Sequence, residues 1–384
     1  MTRDLGLYIH WPFCISKCPY CDFNSHVRAS IDEDAWEKAL LIEMDHMAKL
    51  TKGRTLSTVF FGGGTPSLMR PKTVAALLDR LSAHWQLTPD LEITLEANPG
   101  TVDKERFQGF KDAGVTRLSM GIQSLHNDAL AFLGRKHSAE EALAALKLAG
   151  TLFERFSFDL IYARPEQSLS AWREELSRAL ELAGGHLSLY QLTMEKGTSF
   201  YTRHQRGEFT LPDEDLAAAL YEATEELTGK AGYASYEVSN YARPGHACRH
   251  NLIYWRSQDF MGIGPGAHGR VTAPEGRLEM RVTKAPETWL ARVHAHGHGL
   301  DEKVLLSPDQ SFEEALLMGL RLLEGVSLET LKSTSPEGFE ALLKSPKLET
   351  LIAEGLLLPP TQTHLMATPE GRLKLNGLLA YLIE

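Results

Sequence analysis

The feature that most constrains the fold is an alternation of strand-like and helix-like segments through the first half of the chain. Apolar runs that read as strands are separated by stretches of helical periodicity; these runs cover residues 5–13, 57–61, 91–96, 117–123, 156–162 and 186–192. Such alternation predicts an α/β fold with a parallel sheet and crossover helices. The pattern leaves open whether the six strands form an open sheet or an incomplete barrel. In either arrangement, functional groups are expected where strands end and loops begin.

The second half is less regular. A helix is predicted at 213–231 and a strand at 236–241, and residues 250–255 and 260–269 read as aromatic- and glycine-rich loops. Residues 271–306 lack periodicity and indicate a linker or hairpin. Short helices and a hairpin-like stretch follow, which predicts a small α+β, winged-helix-like domain. The predicted organisation is therefore 1–270, 271–306 and 307–384.

Charge and hydropathy exclude several classes of protein. The 384 residues contain 40 Lys and Arg against 50 Asp and Glu, a net charge of −10 that argues against general nucleic-acid binding. No apolar run approaches the roughly 18 residues that span a bilayer, so we expect no integral membrane protein. The first residues do not form a signal-peptide apolar region. A cytoplasmic protein is expected.

Cysteine spacing gives the strongest chemical signal. Three of the four cysteines, Cys14, Cys18 and Cys21, lie within eight residues. Such clustering does not fit a disulfide framework and indicates a thiolate-ligated metal centre in a reducing compartment. Three thiolates can hold three irons of a [4Fe–4S] cluster and leave the fourth open to another ligand. A zinc site completed by His10 or His26 is the alternative.

The Cys-x3-Cys-x2-Cys loop directly after a first strand resembles that of the radical S-adenosylmethionine (SAM) enzymes. The resemblance implies an incomplete parallel (β/α)6 barrel with the cluster loop at the C-terminal ends of its strands. It also implies that the open iron binds the amino and carboxylate groups of SAM. One electron from the reduced cluster then cleaves SAM to a 5′-deoxyadenosyl radical. Tyr20, the aromatic residue before the last cysteine, would lie near the adenine.

Polar residues at successive predicted strand ends fit a SAM site. The sequence GGGTP at 62–66 lets backbone groups approach a ligand closely, although by itself it could be a tight turn. It lacks the Lys-Ser/Thr of a phosphate loop. Glu96, Gln123 and Asp159 lie in or at the ends of later strands, with Arg135 in a loop and Tyr8 on the first strand.

Further motifs extend the resemblance over almost the entire chain. IHWPFC-x3-CPYCDFNSH, FFGGGTPSL, EANPGT, RLSMGIQS, LGRKH, LYQLT and HNLIYW-x6-GIGPGAHG occur in this order. They resemble the coproporphyrinogen-dehydrogenase-like proteins and, within them, the HemW-type haem chaperones. Similarity to the related oxygen-independent coproporphyrinogen oxidase implies a set of SAM contacts, namely Tyr8, Tyr20, Gly63, Gly64, Thr65, Glu96, Gln123, Arg135 and Asp159.

Three features favour a chaperone over an oxidase. The oxidase has a fourth cysteine where this chain has Phe23, and it has a long N-terminal extension where only seven residues precede Tyr8. Less cover makes a radical harder to protect from water. The HNxxYW motif at 250–255 marks the haem chaperones, and it offers His250 as an axial haem ligand. Cys248 could be a second ligand or a covalent attachment point, but a buried thiol is the expected role.

The resulting hypothesis is a chaperone that binds haem and a SAM-ligated [4Fe–4S] cluster. It would deliver haem to acceptor haemoproteins such as respiratory enzymes, with the cluster supporting a homodimer. The alternative is oxidative decarboxylation of coproporphyrinogen III by radical chemistry, and an electron-transfer iron–sulfur protein is a weaker third hypothesis. The run formed by His294, His296 and His298 is expected to be a solvated, extended loop whose side chains point the same way.

Overall fold

A computed structural model describes residues 4–383. The strands are β1 (Leu5–Trp11), β2 (Phe13–Cys14), β3 (His26–Val27), β4 (Thr55–Gly63), β5 (Gln86–Ala97), β6 (Arg117–Gln123), β7 (Arg155–Tyr162), β8 (Gly185–Gln191), β9 (Ala234–Ser235), β10 (Asn240–Ala242), β11 (Asp259–Ile263), β12 (His268–Ala273), β13 (Gly276–Val282), β14 (Leu300–Leu305), β15 (Val326–Ser327) and β16 (His364–Leu365). The α-helices are α1 (Glu33–Met47), α2 (Pro71–Leu81), α3 (Lys104–Asp112), α4 (Asn127–Phe132), α5 (Ala139–Leu152), α6 (Leu169–Leu182), α7 (Ser199–Gln205), α8 (Glu214–Lys230), α9 (Arg249–Trp255), α10 (Pro286–His296), α11 (Pro308–Gly319), α12 (Leu328–Thr334), α13 (Pro336–Leu343), α14 (Pro346–Ala353), α15 (Pro369–Leu373) and α16 (Leu375–Ile383). Short 3-10 helices span Ala48–Thr51, Pro66–Leu68 and Pro99–Thr101.

One large sheet organises the chain. Its strand order is β14-β13-β12-β11-β1-β4-β5-β6-β7-β8-β10-β9. The seven strands from β11 to β8 pair in parallel, and the strands at both edges are antiparallel. Helices α1, α2, α3, α5 and α6 lie on the crossover connections between successive parallel strands. The predicted α/β class and the parallel sheet are confirmed.

Alternating side chains on β1 show why this strand lies at the centre of the sheet. Leu7 and Ile9 are fully buried on the face that the helices cover. Tyr8 and His10 point to the opposite, concave face, as the period of two along a strand requires. Burial on both faces is typical of parallel strands inside an α/β layer.

The sheet curves into a partial barrel. Strands β4 and β7 are three positions apart, a separation of about 14 Å in a flat sheet. Gly63 at the end of β4 and Asp159 in β7 nevertheless line one cavity. The curvature therefore brings the C-terminal strand ends together around a common space.

Two segments predicted as loops have regular structure. Residues 250–255 lie in α9, and the segment that begins at Phe260 contains β11, a seventh parallel strand beside β1. The carboxylate of Glu92 accepts hydrogen bonds from the backbone N–H groups of Arg249 and His250 at 2.8 and 3.3 Å. Glu92, a residue of β5, thus provides the hydrogen-bond acceptor for the free N–H groups at the N-terminus of α9. The local sequence of α9 does not reveal this long-range cap.

The segment 271–306 is firmly attached to the main sheet. Strands β12, β13 and β14 extend the sheet beyond β11, and α10 packs on α1. The buried carboxylate of Glu43 accepts hydrogen bonds from the backbone N–H groups of Gly264 and Gly299, both at 2.7 Å, and from the Trp289 indole at 2.9 Å. The predicted hairpin is present, but it is followed by a helix and a strand. The predicted boundaries at 270 and 306 stay predictions.

Residues from α11 onward form a second hydrophobic core. Leu320, Leu331 and Leu378 are among its buried side chains. Strands β15 and β16 pair antiparallel beside the helices, in agreement with the predicted α+β character. Among residues 4–383, no helix combines the length and the apolar content needed to cross a bilayer.

Candidate functional site

The cysteine loop is held at the C-terminal edge of the parallel strands. It leaves β1 through β2 and returns through β3, and these two short strands pair in parallel. The backbone N–H of His26 also donates to the Pro12 carbonyl at 2.7 Å, which closes the base of the loop. Cys14, Cys18 and Cys21 are all half-buried, free thiols that line one cavity.

This strand-end cavity brings together all but one of the predicted cluster and SAM residues. They come from the cysteine loop, the ends of β4, β5 and β6, the α4–α5 connection and β7; those lining the cavity are Cys14, Cys18, Tyr20, Cys21, Gly63, Gly64, Thr65, Glu96, Gln123, Arg135 and Asp159. Sequence reasoning missed Asn98, Ser119 and Lys136, which also line it. Parallel strands explain the convergence, because their carboxyl ends meet at one edge.

Each cysteine sulfur has a polar neighbour. Thr65 Oγ1 donates to Cys14 Sγ at 3.3 Å, and Arg135 Nη1 donates to Cys18 Sγ at 3.4 Å. The Ser25 hydroxyl lies 3.8 Å from Cys21 Sγ. Burial raises the pKa of the Cys14 and Cys21 thiols, so metal binding must displace their protons. Three thiols with such neighbours fit the ligand set of a cluster with one open iron.

Neither histidine of the zinc alternative lines the strand-end cavity with the three thiols. His10 is bonded through both ring nitrogens, to the Tyr8 hydroxyl at 3.0 Å and to the Asn24 carbonyl at 2.9 Å. His26 Nε2 is bonded to Asn24 Oδ1 at 3.1 Å. Over residues 4–383, no three His, Cys, Asp or Glu side chains form a group that could hold a metal ion. Ligands of a cluster need not converge on one point, because each binds a different iron.

Two carboxylates face the cavity with perturbed acidity. Burial, reinforced by the charge of Asp159, raises the pKa of Glu96 to about 8. Burial also raises the pKa of Asp159 to about 6, opposed by a hydrogen bond from Ser188. The Gly63 N–H donates to Glu96 Oε2 at 3.2 Å, which joins the glycine turn to the carboxylate. Such raised pKa values are typical of ligand-binding sites.

The backbone at the cavity is strained at Gln123. This residue has a φ of 73°, in the left-handed region that residues with a side chain seldom occupy. The pairing of β6 with β7 shifts register between Met120 and Gln123. A bulge therefore turns the end of β6 towards the cavity, and such strain concentrates at functional sites.

Tyr8 is the exception among the predicted SAM residues. It does not line the strand-end cavity, and its ring stacks on Phe60 and His250 on the concave face. The Asn24 carbonyl can only accept, so His10 Nε2 donates to it and His10 Nδ1 accepts from the Tyr8 hydroxyl. Burial lowers the pKa of His10 to about 4, which keeps the ring neutral. Tyr8 contact with SAM stays a prediction.

His250 also lies outside the cavity. Its side chain is 1% exposed, with Nδ1 2.7 Å from Thr58 Oγ1 and Nε2 2.6 Å from the Tyr254 hydroxyl. Burial lowers the pKa of His250 to about 3, so the ring is neutral. Both nitrogens are already bonded, and iron ligation by His250 would require the ring to leave this pocket. That role stays a prediction.

Cys248 is fully buried beside Glu92, and burial raises the pKa of its thiol to about 11. A protonated, inaccessible thiol is a poor ligand. This placement agrees with the expected role of a buried thiol.

The predicted extended histidine run is not a loop. His294 and His296 lie in α10, which begins at Pro286 and ends at the left-handed cap residue Gly297. Residues two apart in a helix point to different sides, so the shared direction predicted for an extended chain is wrong. His298 follows the helix, and its ring centroid lies 4.3 Å from that of His46.

Comparisons with known proteins identify the family of this chain. The sequence profile of the Radical SAM superfamily matches residues 8–179, and that of the HemN C-terminal domain matches 306–373. Heme chaperone HemW from Escherichia coli is 42% identical, covering 98% of this chain and 97% of that protein. Radical S-adenosyl methionine domain-containing protein 1, a mitochondrial protein of Bos taurus, is 40% identical over 100% of this chain and 88% of its own length.

A solved structure shows the same fold. Coproporphyrinogen III oxidase (HemN) from Escherichia coli superimposes with a TM-score of 0.82 at 23% identity, covering 99% of this chain and 90% of that chain. At this identity the match establishes the fold alone, and it confirms the predicted radical-SAM barrel. The sequence match to the Radical SAM superfamily, together with the HemW-type relatives, confirms the two predicted cofactors, SAM and a [4Fe–4S] cluster. The chain belongs to the radical SAM superfamily and, within it, to the family of the HemW-type haem chaperones.

Proposed function

We propose that this protein is a haem chaperone that binds haem, holds a SAM-ligated [4Fe–4S] cluster in the strand-end cavity and transfers haem to acceptor haemoproteins. The observation that carries the proposal is similarity to Heme chaperone HemW along nearly the whole of both chains. A match restricted to the barrel would indicate only the superfamily. The match to Heme chaperone HemW also includes the segment from α9 to the C-terminal core.

The strand-end cavity supplies the cofactor-binding part of this function. Cys14, Cys18 and Cys21 would hold the cluster, and the polar residues at the ends of the strands would hold SAM. When bound, this pair supplies one-electron cleavage of the sulfonium. The residues of the chain orient the ligand: Thr65 and Arg135 donate to cluster thiols, and Glu96 offers a carboxylate next to the glycine turn.

Phe23 distinguishes the chaperone from the oxidase alternative. It stands where the oxidase has a fourth cysteine, and its side chain is 61% exposed at the rim of the cavity. Its ring supplies no thiolate, and a side chain open to solvent beside the cluster loop gives a radical little protection from water. The acceptors proposed are haemoproteins such as respiratory enzymes, the compartment is the cytoplasm, and the assembly is a homodimer.

Haem transfer and porphyrinogen turnover together test the proposal. The anaerobically reconstituted protein is loaded with haem and mixed with an apo-haemoprotein, and the acceptor's Soret spectrum is followed. We expect transfer faster than from haem-loaded serum albumin. A parallel reaction contains SAM, a strong reductant and coproporphyrinogen III, with products separated by HPLC.

The two reactions give opposite results for the two functions. The chaperone transfers haem and forms no protoporphyrinogen while its cluster stays spectroscopically intact. Multiple turnovers to protoporphyrinogen would overturn the proposal and establish the oxidase. Failure to bind haem at all would also refute the chaperone. Sedimentation with and without the cluster tests the homodimer separately.

A further inference from the structure

A second cavity lies at the junction between the barrel and the C-terminal core. It has a volume of about 410 Å³, within the range of small-molecule sites. Its walls come from the end of α9, the following turn, α11, the loop to β15, α12 and β16. None of its lining residues belongs to the strand-end cavity. We call it the junction cavity.

One wall of the junction cavity is an aromatic ring with charged side chains beside it. Trp255, the last residue of α9, lines the cavity, and the guanidinium of Arg321 lies 5.5 Å from its ring centroid. Arg256 also lines the cavity and pairs with Glu324 at 2.7 Å. Ala315 and Gly319 present little side chain on the α11 side. The Arg256–Glu324 pair leaves this wall without net charge, and a flat aromatic ligand suits the tryptophan ring.

The junction cavity is also lined by an imidazole with a free nitrogen. His364 in β16 is half-buried and faces Ser327 of β15 in the register. Its Nδ1 is 2.9 Å from the hydroxyl of Thr363, and no residue in the range 4–383 forms a hydrogen bond with Nε2. Donation by Nδ1–H to Thr363 leaves the lone pair on Nε2, the arrangement seen in metal-bound histidines.

An unpartnered hydroxyl indicates that this cavity takes a ligand. Ser257 is 6% exposed, lines the cavity and has a φ of 50°. Its buried Oγ finds no hydrogen-bond partner among the described residues. Both the burial of an unpaired hydroxyl and the left-handed backbone are unfavourable for folding. A ligand bound in the junction cavity would supply the hydrogen-bond partner that Ser257 Oγ lacks.

We propose that the junction cavity is the haem site and that His364, rather than His250, is the axial ligand of the iron. The assignment rests on the proposed function, which it makes more specific. The Nε2 lone pair of His364 forms the bond to ferric iron and displaces a water molecule, with no electron transferred. Trp255 packs on the porphyrin. The HNxxYW motif then contributes through its last residue, while His250 anchors α9 to the barrel.

Haemin titration of the full-length, cluster-reconstituted protein tests this assignment. The expected result is that His364→Ala raises the Kd for haemin at least tenfold and abolishes the histidine-ligated Soret spectrum. Millimolar imidazole should restore that spectrum in the variant, because it occupies the vacated position. Thr330→Trp, which fills the cavity and keeps His364, should weaken haemin binding without changing the iron content of the cluster.

Two histidine controls separate ligation from general damage. His294→Ala removes an exposed histidine of α10 and should leave the haemin spectrum unchanged. His250→Ala should retain the histidine-ligated spectrum, with circular dichroism and a thermal melt to verify folding.

The outcomes distinguish failure of the assignment from failure of the function. If the wild-type protein binds haemin with a histidine spectrum and folded His364→Ala binds it equally, the assignment is overturned and the chaperone stands. Loss of the spectrum in folded His250→Ala alone would assign the iron to His250. If the wild-type protein shows no saturable haemin binding, the proposed function itself fails.

Discussion

The strand-end cavity and the junction cavity differ in how the chain builds them. The first collects residues from the cysteine loop that follows β1 and then from β4, β5, β6 and β7, which are neighbours in the sheet. The second joins Trp255, at the end of α9, to residues 60 to 109 positions further along the chain. In the strand-end cavity, the topology of the sheet places the lining residues. In the junction cavity, packing between the two hydrophobic cores places them, and Ser257 is left with a left-handed backbone and an unpaired hydroxyl.

The largest expected effect tests whether cluster chemistry is confined to the strand-end cavity. Cys18→Ala should reduce the iron found after anaerobic reconstitution from about four atoms per chain to almost none, because two thiolates cannot hold the cluster. Iron and sulfide analysis with the visible spectrum measures this. Cys248→Ala is the matched control and should keep full iron, since its thiol is buried outside the cavity. Equal losses of iron in Cys18→Ala and Cys248→Ala would show that iron binding is not confined to the strand-end cavity.

The pH dependence of SAM binding follows from Glu96. Below its pKa of about 8, the ligand-free protein holds this carboxyl protonated. A sulfonium ligand favours the carboxylate, so binding releases a proton, and affinity rises about tenfold per unit from pH 6 to 8 and levels off above. Calorimetry on the reconstituted protein measures the slope. In Glu96→Gln the affinity for SAM should no longer change with pH over this range. If the pH dependence were unchanged in Glu96→Gln, another group would be responsible for it.

Backbone geometry at the strand-end cavity predicts a stability effect. Gly63 has a φ of 111°, and a Cβ there would lie 2.6 Å from the His10 ring, which is held by two hydrogen bonds. Gly63→Ala should lower the free energy of unfolding by about 2–4 kcal/mol in denaturant titrations. Gly53→Ala is the control, because it has a φ of 80° but no atom within 4 Å. Equal losses would show that the His10 contact is unimportant.

The smallest expected effect concerns the junction cavity. Ser257→Gly removes an unpaired hydroxyl as well as left-handed strain, whereas Glu166→Gly, at a φ of 59° on an exposed residue, relieves only the strain. In the absence of haem, Ser257→Gly should raise the free energy of unfolding by about 1 kcal/mol more than Glu166→Gly does. Denaturant titration compares the two. A gain no larger than that of the control would mean that the buried hydroxyl costs nothing.

Sequence reasoning recovered the strand-end cavity because periodicity predicts strands and parallel strands end at one edge. Cys14, Glu96 and Asp159 could therefore be grouped before any coordinates were known. Tyr8 was grouped with them by resemblance, but its side chain lies on the concave face beside His250. The side on which a residue near a strand end packs depends on curvature, which periodicity does not specify.

The junction cavity could not be predicted, for physical reasons. Helix α9 has no side-chain cap of its own and depends on Glu92, more than 150 residues earlier. Strand β11 is a short, glycine-flanked segment that pairs because β1 offers it an open edge. His364 has no motif around it, and only tertiary packing brings it near Trp255. Long-range contacts override local propensity at each of these places.

The position of β1 in the sheet determines when the protein can become functional during its synthesis. The strand that leads into the cysteine loop leaves the ribosome well before its neighbour β11, which is completed about 250 residues later. At 5–20 residues per second, this interval lasts roughly 10–50 seconds. Throughout that time β1 is an exposed edge, and the nascent thiols have only part of their final surroundings. The cysteine loop therefore reaches its final surroundings late in synthesis, since Asn24 within it donates to the Pro265 carbonyl at 2.8 Å.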